Sequence, residues 1–296
     1  MRTNAISALG LVKNYRSGFG DESVRAVDSV DLNVRENEIF GIFGPNGSGK
    51  TTTLKMILGL VKPTAGECRV FDHPSGAPAA RARIGFLPES VNFGGLWTGR
   101  EWLSFFGGVS SLSGYALSDA VARVLALSGL EAAADRRVSE YSRGMAQRLA
   151  LARAIIHDPD LVVLDEPAAG LDPIAVAELT EILLDLKRTG KTVVVCSHLL
   201  SHAEEICDRF ALFYQGRIIF SGSQEDLEAD SGLRRFRVTG YSDALDEPLR
   251  EFLAARGASL VGRLQPCASL DEVFIEMCGK ETPREGEVSG GEPTVE

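Results

Sequence analysis

The run Gly44-Pro45-Asn46-Gly47-Ser48-Gly49-Lys50-Thr51 carries the densest chemistry in the chain. It fits G-x-x-x-x-G-K-[ST], a loop whose backbone N–H groups turn inward as a nest for phosphate. Glycines at 44, 47 and 49 permit the tight turn. The positive end of the helix that follows, entered through Thr52, adds to the field. Lys50 is placed to reach β- and γ-phosphates, and the Thr51 hydroxyl suits Mg²⁺.

A second constellation is Leu161-Val-Val-Leu-Asp-Glu166, an apolar run ending in two acids. A carboxylate at the end of a buried strand beside a phosphate loop can hold Mg²⁺, which suits Asp165. Glu166, the next residue, can orient or deprotonate an attacking water. The plainer reading is a strand end with two solvated acids. Tyr141-Ser-Arg-Gly-Met-Ala-Gln-Arg148 precedes a helix on which Met145, Leu149, Ala152 and Ile156 share a face, with Ser142 as N-cap. His198 and His202 are a helical turn apart, a spacing that can bind metal, but Leu-Leu-Ser separates them with no H-E-x-x-H pattern. A metal site is not expected there, and His202 is read as structural.

Positioning these groups requires buried strands and covering helices. Glu38 to Phe43 reads as the strand entering the phosphate loop and Thr52 to Leu60 as the helix leaving it, with Leu54, Ile57 and Leu58 on one side. Ala5 to Leu11, Val24 to Val34, Gly66 to Phe71 and Arg83 to Leu87 are strand-like. Thr98-Gly-Arg-Glu101 is a capping box, Leu117, Val121, Val124 and Leu125 stripe another helix, and about 90–155 reads as a helical insertion. Leu161 to Leu164 and Thr192 to Cys196 are continuously apolar strands around a helix striped by Val176, Leu179, Leu183 and Leu186. Such alternation predicts an α/β fold with a parallel sheet covered on both faces.

Bulk properties narrow the function. The 296 residues carry 31 basic and 41 acidic side chains, a net charge of −10, against a general nucleic-acid binder although a local basic patch stays open. No apolar run is long enough to span a bilayer, and the N-terminus lacks a signal-peptide core. Five scattered cysteines (68, 196, 207, 267 and 278) without C-x-x-C spacing read as reduced, in keeping with a cytosolic protein.

Taken in order, the motifs resemble the nucleotide-binding subunit of an ABC (ATP-binding cassette) transporter over roughly residues 4–222. The family signature, commonly Leu-Ser-Gly-Gly-Gln, corresponds to Tyr141-Ser142-Arg143-Gly144-Met145, with Ser142 and Gly144 kept. The resemblance implies ATP and Mg²⁺ as ligands, the ATP completed by the signature segment of a second subunit, most simply a second copy. It further implies that Tyr15 stacks on adenine, that Ala169-Gly-Leu-Asp172 crosses a dimer interface, and that His198 contacts the γ-phosphate. Glu89 stands where the family usually has a glutamine touching Mg²⁺ and the attacking water. This Pro-Glu form, with a Ser-x-Gly-Met signature, resembles a bacterial subgroup serving export permeases.

The implied organisation is a P-loop NTPase of the ABC ATPase type. It comprises a strand-rich N-terminal subdomain, a parallel-sheet core, the inserted helical subdomain and a small α+β C-terminal extension at 223–278, followed by an acidic tail at 279–296 that is expected to be disordered. The aromatic-rich segment at 90–106 would meet an integral membrane permease, or alternatively form the helical subdomain's core. The implied location is the cytoplasmic face of the cell membrane, with no nucleic-acid partner. Two other readings stay open: a soluble cassette acting on ribosomes or DNA, and a regulatory cassette that does not hydrolyse ATP.

Overall fold

A computed structural model describes residues 3–16, 23–94, 96–198, 206–230 and 245–257. The chain divides into two compact units, residues 1–234 and 235–296.

The first unit is built on a six-stranded sheet. It contains β3 (Ile39–Phe43), β6 (Ile84–Leu87), β7 (Leu161–Asp165), β8 (Thr192–Ser197), β9 (Arg209–Tyr214) and β10 (Arg217–Gly222), in the order β10-β9-β3-β8-β7-β6. The β9–β10 hairpin is antiparallel, while β9-β3-β8-β7-β6 run parallel. Side chains alternate between faces. Leu161 and Val163 join one core with Leu54, Ile57 and Met56, while Val162 and Leu164 join the other with Leu149, Leu151 and Leu183. With both faces covered, every residue of β3, β7 and β8 is buried, which is why those strands read as unbroken apolar runs.

A second, antiparallel sheet has the order β2-β1-β4-β5 and joins β1 (Asn4–Arg16), β2 (Ser23–Arg35), β4 (Ala65–Val70) and β5 (His73–Pro74). It packs with α1 (Lys50–Ile57) into the core shared with Leu161 and Val163. Strand β1 runs past Leu11 to Arg16 because β2 keeps pairing with it through register shifts on either side of Lys13, bringing Tyr15 opposite Val24. Helix α1 is shorter than the Thr52–Leu60 span read from sequence: it starts at Lys50 and ends at Ile57, ahead of Gly59 at φ +66°. Leu54, Ile57 and Leu58 are all buried, as the periodicity required.

The insertion between β6 and β7 is helical from residue 99 onward, not from 90. Residues 91–94 and 96–98 are irregular, and Thr98 bridges to Arg137. Helix α3 (Gly99–Val109) opens with the expected capping box. Thr98 accepts a bond from Glu101 N (3.2 Å), and Glu101 accepts one from Thr98 N (2.9 Å). Helices α4 (Gly114–Leu127) and α5 (Arg143–Ala154) complete the subdomain, and α6 (Pro173–Arg188) covers the sheet between β7 and β8. Ile156 lies beyond the end of α5, so it does not continue that helix's stripe, yet it is buried. The aromatics at its front divide: Trp102 is buried against Phe93 and Phe106, whereas Trp97 and Phe105 are exposed.

His157, just after α5, sets its Nε2 3.2 Å from Ile84 O at the start of β6. Burial holds its pKa below the ordinary 6.5. A histidine depressed in the folded state takes up a proton on unfolding, so its contribution is present at neutral pH and lost as pH falls through 6.5. His157→Gln is therefore expected to flatten the decline in urea midpoint between roughly pH 7 and pH 5.

Within the first unit, Gln224–Asp230 forms a short helix whose Leu227 is buried and whose Asp226 accepts a bond from Ser223 N (2.8 Å). The described part of the second unit is a helix, Asp246–Ala254, with Arg256 stacked 3.7 Å over the Phe252 ring. Residues 231–244 and 258–278 of the predicted extension, the acidic tail, His202, Cys267 and Cys278 lie outside the described residues.

Candidate functional site

Between β3 and α1 the chain reverses through Gly44–Gly49. Gly44 sits at φ +151° and Gly49 at φ +102°. A Cβ at 44 would run into the Phe213 carbonyl oxygen, and one at 49 would lie 2.6 Å from Ala26 O. Both positions thus demand glycine for space as well as for conformation. The loop is braced by Gly216 N donating to Ser48 O (3.0 Å) and closed by Ser48 N donating to Pro45 O (3.2 Å). Lys50 is 5% exposed, and its Nζ donates to Gly44 O (2.7 Å) and Pro45 O (3.1 Å), so a positive charge sits in the hollow of the loop.

This hollow opens into a cleft of about 330 Å³, lined by Asn46, Gly47, Gly49, Lys50, Thr51 and Thr52, with Ala26 beside them. Glu89, Glu166, Ala169 and His198 line the same cleft. The parallel sheet explains the meeting: β3, β6, β7 and β8 all end at this edge, the usual ligand-binding crevice of such sheets.

Asp165 closes β7 opposite Cys196 of β8 and is buried. Its Oδ1 has no hydrogen-bond partner. Burial raises its pKa most, the Cys196 thiol lowers it by donating to the carboxylate, the charges of Glu166 and Glu89 raise it again, and Lys50 opposes them. A buried carboxylate with an unsatisfied oxygen and two acidic neighbours is a site that a cation would satisfy. Among the described residues, no three His, Cys, Asp or Glu side chains converge as a metal group. Mg²⁺ takes few protein carboxylates and completes its shell with phosphate and water.

Glu166 leaves the strand at φ +49°, rare for a residue with a side chain, and its N–H donates to Cys196 O (2.8 Å). This kink swings the carboxylate out of the sheet. Its Oε2 accepts from Ser197 Oγ (3.2 Å) and lies 2.9 Å from His198 Nδ1. Sequence pointed to Glu166 and His198 separately; their direct contact was not legible. Glu89, exposed after β6, lines the same cleft.

Other sequence-designated residues stand apart from the cleft. Tyr15, one residue before the end of β1, is 41% exposed, with Lys13 Nζ 5.2 Å from its ring centre, and does not line the cleft. Ser142 caps α5 through Met145 N (3.2 Å), Gly144 is buried against Ala175, and Met145 packs on the helical core. Arg143 turns back on its own chain, its Nη2 donating to Ala169 O (2.8 Å). Asp172 caps α6, its Oδ1 accepting from Ile174 N and Ala175 N, both at 3.0 Å. Gln147, which sequence reasoning passed over, donates to Pro167 O (2.8 Å), and its spacing from Arg143 was the available signal.

Comparison with known proteins agrees with this geometry. The sequence profile described as "ABC transporter" matches residues 27–169. The Nod factor export ATP-binding protein I of Cupriavidus metallidurans is 36% identical, spanning 93% of this chain and 99% of its own. An uncharacterized ABC transporter ATP-binding protein of Nostoc sp. is 39% identical, over 92% of this chain and 89% of its own. Among solved structures, an ATP-binding subunit of an ABC transporter superposes with a TM-score of 0.70 at 26% identity, covering 93% of this chain and 99% of its own. A dimeric ATP-binding cassette with ADP and Pi, in a post-hydrolysis state, gives 0.66 at 28% identity, covering 78% of this chain and 100% of its own. No helix among the described residues is long and apolar enough to cross a membrane. With the phosphate loop and the Glu166–His198 pair on one cleft and buried Asp165 next to Glu166 at the strand end, the chain belongs to the ABC transporter family, as one of its ATP-binding, ATP-hydrolysing subunits.

Proposed function

We propose that this chain is the ATPase of an export complex, working as a homodimer on the cytoplasmic face of the membrane beneath a separate permease. The observation that carries the reading is the convergence of Lys50, Asp165, Glu166 and His198 at one sheet edge. ATP lies along the loop from Pro45 to Thr52, with Lys50 against its β- and γ-phosphates. Thr51 and Asp165, with Glu89 beside them, would hold Mg²⁺, which would supply neutralisation of charge on the phosphate oxygens. Glu166 accepts the proton of the attacking water, and His198, at 2.9 Å from Glu166, orients that carboxylate while reading the γ-phosphate. Tyr15 stacks on the adenine. The signature segment, through its kept Ser142 and Gly144, and the Asp172 loop act on the nucleotide and interface of the second copy, so ATP closes the pair and hydrolysis reopens it.

The domain assignment follows: residues 4–222 form the ATPase, 223–278 an extension and 279–296 a tail. Exposed Leu96, Trp97 and Phe105 support permease docking near residues 90–106, since aromatic anchors suit a helix-in-groove contact. Export is supported by the names of the relatives; the permease, not this chain, selects the cargo. The deciding experiment purifies the full chain from its host's membranes in an ATP-trapped state and identifies what accompanies it. A polytopic membrane protein, with ATP-driven accumulation of cargo inside inverted vesicles, is the expected outcome. Recovery of ribosomes instead, or an inactive complex, would overturn the reading.

A further inference from the structure

The turn that carries Glu166 is held from outside by the signature helix of the same protomer. Inside the turn, Ala169 N donates to Glu166 O (3.2 Å) and Leu171 N to Ala168 O (3.2 Å). The intervening carbonyls face α5: Pro167 O accepts from Gln147 Nε2 (2.8 Å) and Ala169 O from Arg143 Nη2 (2.8 Å). Arg143 and Gln147 are four residues apart on α5 and therefore share one face. Gly170, at φ +66°, leaves room for the guanidinium to lie against the backbone, where a Cβ would strike it.

On its other side the turn is fixed to the sheet by Glu166 N donating to Cys196 O (2.8 Å). Two grips thus determine where the Glu166 carboxylate points: β8 and the N-terminal half of α5. The buried Gly144, against Ala175, fits that end of α5 closely onto α6. In the common signature Arg143 would be glycine, and this contact would have no side chain to make it.

We propose that Arg143 and Gln147 are positioning residues: they clip the signature helix to the hydrolytic turn, so that seating the helix sets the aim of Glu166 in the same protomer. The consequence for the dimer rests on the reading that the signature serves the second copy's ATP. Under it, the clip joins one nucleotide to the catalytic acid beside the other. Arg143 thereby acts within its own chain and not as a phosphate ligand.

The test uses the full-length chain. Arg143→Ala is expected to lower kcat for ATP about ten- to a hundredfold, as misplacement of a general base does, with KM within about twofold. Arg143→Lys, which keeps a donor for Ala169 O, should recover part of the loss. Gln147→Ala should have the same signature, and the double variant should fall short of the product of the single effects because both hold one turn. A raised KM with unchanged kcat would make Arg143 a nucleotide contact and overturn the clip. Unchanged kinetics, or a lysine variant as poor as alanine, would overturn it as well. Nucleotide-driven dimerisation of Glu166→Gln, with and without Arg143→Ala, separates the two readings. No dimer in either removes the intersubunit reading, whereas dimerisation in both leaves the kcat–KM split to judge the clip alone.

Discussion

Glu166→Gln is expected to bind ATP normally, to turn it over about a hundred- to ten-thousandfold more slowly, and to accumulate as a closed dimer. The amide keeps the shape and can still meet Ser197 Oγ and His198, the two groups that contact Glu166 Oε2. It cannot take a proton from water. Binding and closure depend on the loop and on the second copy, so they survive while the step that reopens the pair is lost. The variant also removes a negative charge that raises the pKa of Asp165, which favours ionised Asp165. Size-exclusion chromatography with and without ATP, together with phosphate release, reads both halves of the expectation. Turnover within about threefold of the parent would remove Glu166 from its role as base.

The sequence disclosed this site unevenly, for physical reasons. The phosphate loop was legible because glycine spacing, an entering apolar strand and a leaving helix all constrain the same few residues. The doubly covered sheet was legible because burial on both faces erases alternation in β3, β7 and β8. What stayed hidden arises where residues distant in the chain meet. The Glu166–His198 contact depends on β7 and β8 being neighbours, and on a positive φ at a glutamate that no propensity would foresee. Arg143 read as a departure inside a signature, with nothing to indicate that its guanidinium would settle over Gly170. The helical insertion was read from about residue 90, which takes in the stretch before the Thr98 cap. Gly94 at φ +59° and the Thr98–Arg137 bridge instead hold that stretch irregular, and the helix waits for its capping box.

Lys50→Ala is expected to weaken ATP binding by roughly a hundredfold and to prevent ATP-driven dimerisation. The ammonium is buried in the loop, so its bonds to phosphate form where water competes little, and hydrogen bonds to charged groups contribute about 1.5–3 kcal/mol each. Losing one or two of them weakens Kd by one to several powers of ten, at about 1.4 kcal/mol per power. The fold should tolerate the change better than the function does, because Lys50 satisfies two loop carbonyls that water can reach once the side chain is gone. Lys50 also opposes the burial that keeps the Asp165 pKa high, so the alanine variant should hold Asp165 protonated to a higher pH. Titration with a fluorescent ATP analogue measures the first effect, and size-exclusion chromatography the second. Combining Lys50→Ala with Glu166→Gln orders the events. The double variant should stay monomeric in ATP, because the closed pair that Glu166→Gln traps can form only after the loop has captured the phosphates. A stable ATP-dependent dimer of the double variant would mean that closure draws on contacts other than the Lys50 loop.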